Sequence, residues 1–199
     1  MANTDAPFGL KPYGNVLRAT WYPLATTYGS SLFHGSLIQS AAAQTGLVCK
    51  VFDGDTRQSV TTCTTGAAGL VLGAAIGFMN SDGDPIQYYV ASEAGDGVVA
   101  GYVLVADHPD QTFIAQEDGT TTPIAAASTG LNVAMTAESG STNMGTSTQE
   151  LDSDSVNTTN TLPLRLVRSY KGDTVAATGC RWICIINPNA SFYSSATAV

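Results

Sequence analysis

The sequence predicts an all-β protein, an antiparallel β-barrel or β-sandwich with an extended N-terminal arm. Three observations support this fold class. The apolar segments are short and rich in β-branched and aromatic residues, Gly, Asp, Asn and Pro separate them, and no segment has convincing helical periodicity. Many short strands at this spacing are typical of a sandwich or a barrel.

Residues 1–30 are predicted to form the arm. They contain three prolines and five aromatic residues but little periodic pattern. Such a segment is too apolar for a solvated tail and too interrupted by proline for a regular element, so its aromatic side chains are expected to dock on another surface. The predicted partner-binding residues are Phe8, Tyr13, Trp21 and Tyr22. The alternative is that these four side chains simply belong to the core.

Residues 31–199 are predicted to form the barrel or sandwich domain. Nine candidate strands follow one another at 31–40, 47–53, 69–79, 86–92, 98–107, 112–118, 131–137, 162–170 and 181–187. The segments between several of them, such as NSDGDP at 80–85, carry residues typical of tight turns. Residues 138–161 are rich in Ser, Thr and Asn and are predicted to form a long surface loop.

The stretch VLVADHPDQTFIAQEDG at 103–119 places one histidine among four acidic residues. A general acid–base site would need a second catalytic group within reach, and the other histidine, His34, lies in a distant candidate strand. We therefore predict that HPDQ is a turn between two strands. Pro109 would preset φ, and Asp107 or Asp110 would cap the turn through a side-chain hydrogen bond.

The sequence carries ligands for two kinds of metal site, but neither kind has a complete pattern. The loops at 53–55, 80–84 and 152–154 carry oxygen ligands suited to calcium, yet none has the twelve-residue loop with a closing glutamate. Cys180 and Cys184 are close enough in sequence to share a zinc ion, whereas Cys49 and Cys63 are far apart and have no flanking histidine. We therefore expect no metal, with the cysteines present as buried or half-buried thiols.

Composition argues against several function classes. The net charge is −8 and the eight basic residues are scattered along the sequence, so nucleic acid is not expected as a direct partner. The sequence shows neither a signal peptide nor an apolar run long enough to span a bilayer, so we expect synthesis in a cytoplasm and no membrane partner. It also lacks GxSxG and phosphate-loop motifs, so we expect no enzymatic activity and no cofactor.

The order of several motifs resembles the capsid decoration (cement) proteins of tailed bacteriophages. These motifs are MANTDAPFGLKP at the start, PLATTYGSSLFHGSLI (23–38), VLGAAIGF (71–78), YVLVADHPDQTFIAQEDG (102–119), GLNV (130–133), GSTNMGTSTQELDSDS (140–155), LPLRLV (162–167) and WICIIN (182–187). The resemblance implies a homotrimer on the outside of the virion head. It would bind the major capsid protein lattice at three-fold or quasi-three-fold junctions and stabilise the head against internal pressure.

The composition of the chain is consistent with a structural virion protein but does not by itself imply one. A β-domain with few charges, no catalytic motif and an aromatic arm suits a structural partner, because permanent interfaces bury apolar surface. Deletion of residues 1–22 is then expected to leave a folded domain that no longer binds heads. The alternative is a carbohydrate- or receptor-binding β-domain of a phage virion, with aromatic side chains such as Tyr88, Tyr89 and Tyr102 on one exposed face.

Overall fold

The computed structural model describes residues 3–26, 28–40, 48–50, 56–63, 70–91, 99–119 and 122–193, of which 48–50 and 56–58 are described by their backbone alone. Within these ranges the chain forms strands and two short 3₁₀-helices, and no α-helix. The strands are β1 (Lys11–Pro12), β2 (Ala19–Leu24), β3 (Leu37–Ser40), β4 (Val48–Lys50), β5 (Thr56–Gln58), β6 (Val60–Thr62), β7 (Val71–Asn80), β8 (Pro85–Ile86), β9 (Gly101–Ala106), β10 (Thr112–Gln116), β11 (Asn132–Val133), β12 (Gly140–Ser141), β13 (Thr146–Ser147), β14 (Leu164–Ser169) and β15 (Arg181–Ile186). The 3₁₀-helices are Ala126–Ser128 and Ser153–Ser155. The predicted all-β fold is confirmed.

Five strands close into a barrel in the order β3-β6-β2-β9-β7, because β7 pairs with both β9 and β3. All of these pairings are antiparallel except the single parallel bridge between β2 and β6. Alternate residues of each strand point inward. Those that fill the interior include Tyr22, Leu24, Ile38, Val60, Leu72, Val103 and Val105.

A second sheet of five strands, in the order β1-β10-β15-β14-β11, packs against the outside of the barrel. One face of this sheet and the outward residues of β3, β7 and β9 share a single core. Trp182 and Phe113 of the sheet meet Leu37, Val71 and Ala106 of the barrel wall there, and all five are fully buried. This shared core joins the two β-structures into one unit.

The N-terminal residues pack against the β-structure of the same chain. Leu10 is fully buried in the shared core, and Lys11 and Pro12 pair with β10 as an edge strand. The Asn3 side chain donates hydrogen bonds to the carbonyl oxygens of Thr174 and Ala177. The segment is thus held at one end by the connection between β14 and β15 and at the other end by β10.

The expectation that residues 1–30 contain no regular element is wrong for Ala19–Leu24, which forms β2 of the barrel. Proline at position 23 is accommodated because β2 pairs along its length on one side only, with β9. Deletion of residues 1–22 would remove most of this strand. We therefore expect that deletion to unfold the domain rather than to leave it intact.

Each of the nine candidate strands contains strand residues, although β8 and β11 are only two residues long. The predicted surface loop at 138–161 differs more from expectation. It contains the β12–β13 hairpin, and Gln149 and Leu151 within it are fully buried. Burial of Gln149 is tolerated because its Oε1 accepts from the Leu37 N–H and its Nε2 donates to the Cys63 and Thr136 carbonyls.

We predict that Gly9→Ala destabilises the protein more than Gly14→Ala does. Both glycines have positive φ, 72° and 82°, so the two substitutions share the conformational strain. A Cβ at Gly9 would also lie 2.6 Å from the Gly35 carbonyl oxygen, whereas a Cβ at Gly14 meets nothing within 4 Å. The difference in unfolding free energy, measured by urea denaturation, is expected to be about 1–3 kcal/mol. Equal losses in the two variants would show that the arm can move away from Gly35 at no cost.

Candidate interaction surface

The five-stranded sheet turns one face away from the shared core, and we call this the outer sheet face. Strand register fixes its membership, since Phe113, Leu166 and Cys184 are aligned on the core side and their neighbours point outward. The central row of the outer sheet face, running from β14 to β1, is Arg168, Ile183, Ile114 and Lys11. Two isoleucines lie side by side between two cations in this row, and because Ile183 is only 2% exposed, Ile114 supplies the accessible apolar surface of the pair.

Apolar side chains extend beyond this row. Ile185 and Ile114 are half-buried, and Tyr13 and Val167 are exposed. Val167 points outward at a bulge where the register of β14 on β15 shifts. Apolar side chains that share one face and are bordered by charged groups are typical of interaction surfaces.

Basic residues are concentrated on this side of an acidic protein. Five of the eight basic residues of the chain lie on the outer sheet face or in the turn after β14: Lys11, Arg165, Arg168, Lys171 and Arg181. Of these, Arg181 alone forms an ion pair within the described residues, with Asp173. Arg165 instead donates to the side-chain oxygens of Asn132 and Asn187, which position its guanidinium without neutralising it.

A ladder of cation–aromatic contacts runs along one end of the face. The Arg168 guanidinium carbon lies 5.9 Å from the ring centroid of Tyr13, which packs edge-on against Tyr170 at 6.3 Å. Arg181 lies over the other side of this ladder, 4.3 Å from the centroid of Tyr170. Each contact restricts a long side chain before any partner arrives, which lowers the entropic cost of binding.

Asp173 orients Arg181 at the end of the ladder. Its two oxygens accept from the Arg181 Nε and Nη2 at 2.9 and 2.6 Å, and one of them also accepts from the Arg181 backbone N–H. These hydrogen bonds hold the pKa of Asp173 below its usual value and raise that of Arg181. The pair therefore stays charged at neutral pH.

A groove of about 330 Å³ adjoins the ladder. Its walls include Phe8, Gln116, Asp173 and Arg181. Lys11 lies over the Phe8 ring at 4.9 Å, so another cation–aromatic pair forms the rim of the groove. Gln116, a wall residue of the groove, donates a hydrogen bond to the Asp5 carboxyl group.

The structure places the four predicted partner-binding residues in three environments. Phe8 and Tyr13 lie on the outer sheet face. Trp21 packs outside the barrel against Met79, Val99 and Tyr102. Tyr22 is buried inside the barrel, so it is a core residue in this molecule.

The 103–119 stretch contains the predicted turn but not the predicted cap. The backbone N–H of Asp110 donates to Nδ1 of His108, so the histidine and not an aspartate caps the turn. Asp107 instead is fully buried, where its carboxylate accepts from Arg18 Nε and lies within hydrogen-bond distance of the Tyr22 and Tyr193 hydroxyls. Asp107 therefore ties Tyr193 and Arg18, which directly precedes β2, to the end of β9.

Three glutamates have raised pKa values. Burial raises the pKa of Glu117, Glu138 and Glu150 to about 7 in each case, and the nearby Asp118 adds a smaller repulsive contribution at Glu117 and Glu150. Glu117 is fully buried, and one of its oxygens accepts from the Ile124 N–H at 2.6 Å. The other has no hydrogen-bond partner among the described residues.

Cys63, Cys180 and Cys184 are buried, and burial raises the pKa of each thiol to about 12. Cys180 and Cys184 lie on the core face of β15 or directly before it, as the alternation predicts. The side chain of Cys49 lies outside the described residues. Across the described parts of the chain, no group of three or more His, Cys, Asp or Glu side chains could hold a metal ion.

No family model, curated protein or solved structure matches this chain. In the parts of the chain that the structure describes, no helix is long and apolar enough to cross a bilayer.

Sequence reasoning missed most of the outer sheet face, although one signal for it was present. The run WICII in β15 is apolar at every position, so its outward residues Ile183 and Ile185 break the alternation of a half-buried strand. Such a run indicates apolar surface on both sides of a sheet. The clustering of cations had no local signal, because it arises only when β1, β14 and β15 come together.

We predict that the protein is more stable at pH 5 than at pH 8. A carboxyl group with a raised pKa in the folded state binds protons more tightly there than in the unfolded chain. The resulting stabilisation is fully present below about pH 4.5 and is lost as the pH rises through about 7. Urea denaturation at pH 5 and pH 8 measures the difference.

Glu117→Gln should reduce this pH dependence. The amide oxygen can still accept from the Ile124 N–H, while the titrating proton is removed. An unchanged difference between pH 5 and pH 8 in this variant would contradict the assignment of Glu117.

Proposed function

We propose that the protein is a structural virion protein, a capsid decoration (cement) protein that binds the outer surface of the major capsid protein lattice and stabilises the head. It acts at three-fold or quasi-three-fold junctions as a homotrimer, carries no catalytic activity and needs no cofactor. The protein is synthesised in a bacterial host cytoplasm and ends on the capsid exterior. Its partners are the capsid protein and its own copies, with no direct contact to nucleic acid or membrane.

The observation that carries this proposal is the outer sheet face. It combines half-buried isoleucines and tyrosine on a rigid sheet with Lys11, Arg165 and Arg168, which form no ion pair within the described residues. Tyrosine and arginine are the residues that most often dominate interface energies. The motif order that resembles decoration proteins supports the same conclusion. We therefore assign the capsid contact to this face, with Phe8 and Tyr13 among its aromatic residues.

The rigidity of the outer sheet face suits a protein that must withstand mechanical force. The sheet shares its core with a closed barrel, so a force applied at the outer sheet face is carried by two interlocked β-structures. Linking three such subunits would multiply modest contacts through their high effective concentration. A cement protein needs this combination because it must resist expansion of the lattice that it spans.

The tyrosines predicted for carbohydrate binding are not exposed together on one face. Tyr89 is fully buried and Tyr102 is 8% exposed, while Tyr88 stacks on Phe33 at 5.2 Å. The three tyrosines therefore form no exposed aromatic face.

The test is co-sedimentation of the purified protein with heads that lack it, together with its mass in solution by light scattering. We expect saturable binding, a trimer in solution, and at least tenfold weaker binding for Tyr13→Ala and Arg168→Gln. Binding of Arg168→Gln should also lose part of its salt dependence, since a cation is removed from the contact.

Met144→Glu is the matched control. Met144 is 68% exposed in the β12–β13 turn, and the substitution lowers the net charge by one, as Arg168→Gln does. It should bind heads like the wild type. Equal weakening in both variants would point to net charge, and wild-type binding by both Arg168→Gln and Tyr13→Ala would remove the outer sheet face as the contact. Failure of the wild type to bind heads would overturn the proposed function itself.

A further inference from the structure

One mouth of the barrel contains a cavity of about 240 Å³ that the proposed function does not use. Its walls come from the same end of four strands, at Thr20, Tyr22, Ser40, Val60 and Leu72. The chain passes across this mouth near its C-terminus, where Phe192 and Tyr193 complete the lining. Mouths of β-barrels are common ligand sites, because strand ends diverge there while the interior stays apolar.

The segment across the mouth is held by backbone pairing. The Val71 N–H donates to the Ala190 carbonyl at 2.7 Å, and the Phe192 N–H donates to the Val71 carbonyl at 2.9 Å. The Phe192 and Tyr193 rings pack edge to face with centroids 5.2 Å apart. The cavity is thus bounded by fixed groups rather than by loose side chains.

Neutral hydroxyl groups supply the polar part of the cavity. The Tyr22 and Tyr193 oxygens lie 2.6 Å apart, and each is 2.7 Å from Asp107 Oδ2. The two tyrosine hydroxyls have two protons for the three oxygen–oxygen contacts among Tyr22, Tyr193 and Asp107. At least one tyrosine oxygen therefore keeps the capacity to accept a hydrogen bond. Burial raises the pKa of both tyrosines, which keeps them protonated.

Ser40 supplies a group without a partner. Its side chain is 1% exposed, and its Oγ has no hydrogen-bond partner among the described residues. A buried hydroxyl in that state gains a hydrogen bond when a suitable ligand enters. Among the described residues, the carboxylate in contact with the cavity's tyrosines is that of Asp107, and it is paired with Arg18 at 2.9 Å, so this pair offers no free charge to an ion.

We propose that this cavity is a binding site for a small neutral molecule with an apolar ring or chain and one hydroxyl group. The apolar part would contact Val60, Leu72 and Phe192, and the hydroxyl would bond to Ser40 Oγ. The volume is below the ~300–1,000 Å³ of pockets for drug-sized ligands, so the ligand is close to phenol in size. This site lies away from the outer sheet face and does not depend on the proposed function.

The test titrates the 199-residue protein with phenol, toluene and benzoate by calorimetry and by NMR chemical shifts. We expect saturable binding of phenol, several-fold weaker binding of toluene, and no saturable binding of benzoate. Ser40→Ala should weaken phenol binding by roughly threefold to tenfold and leave toluene unchanged, since one neutral hydrogen bond is lost. Ser59→Ala is the matched control, because Ser59 is also buried with an unpartnered Oγ but does not line the cavity.

The Thr20→Phe variant tests whether phenol binds in this cavity or elsewhere on the protein. Thr20 is half-buried at the mouth, so a larger side chain there should fill the cavity without disturbing the interior. Binding of phenol and toluene should be lost at an unchanged unfolding temperature. Absence of saturable phenol binding to the wild type, equal affinity for toluene, or full binding by Thr20→Phe would each overturn the proposal.

Discussion

The close approach of β7 and β9 is the constraint on which the rest of the structure depends. An added Cβ at Gly73 would overlap the carbonyl oxygen of Ala106, and Ala74 and Ala75 continue the run of small side chains. β7 can therefore pair with β3 and β9 at once and close the barrel. Closure brings Val71, Ala74 and Ala106 together on the outer wall, and the second sheet packs its core face against them. Larger residues in this run would prevent both the closure of the barrel and the packing of the second sheet against its wall.

The clustering of basic side chains on one face follows from the order of the strands in the second sheet. The first strand and the last two lie next to β10 or to each other, so cations that are more than 150 positions apart in sequence share one surface. A cluster of cations on one face of a molecule with net charge −8 would orient its approach to an acidic partner before contact.

The sequence was sufficient for the fold class and for most strands, because alternation and turn residues are local signals. It was insufficient for β2, where proline and aromatic residues resembled an extended arm, and only pairing with β9 shows that a strand accommodates them. It also failed at Gln149 and Leu151, which lie in a segment of polar composition but are buried by contacts with distant strands. Of the predicted binding residues, Phe8 and Tyr13 lie on the outer sheet face, whereas Tyr22 shows that an aromatic near the N-terminus can equally fill a core.

The long-range contacts of Asn3 and Tyr193 have a consequence for biosynthesis. Asn3 bonds to residues 174 and 177, and Tyr193 reaches back to Tyr22 and Asp107. A chain emerging from the ribosome cannot make these contacts until residues 174–193 have been released, so the sheet edge and the barrel mouth are completed late in folding. With pairings this distant in sequence, folding is expected to be slow, on the order of milliseconds to seconds. During that interval the unpaired edge of β10 is open to neighbouring chains, which makes exchange of N-terminal segments between nascent copies a natural competitor of monomer folding.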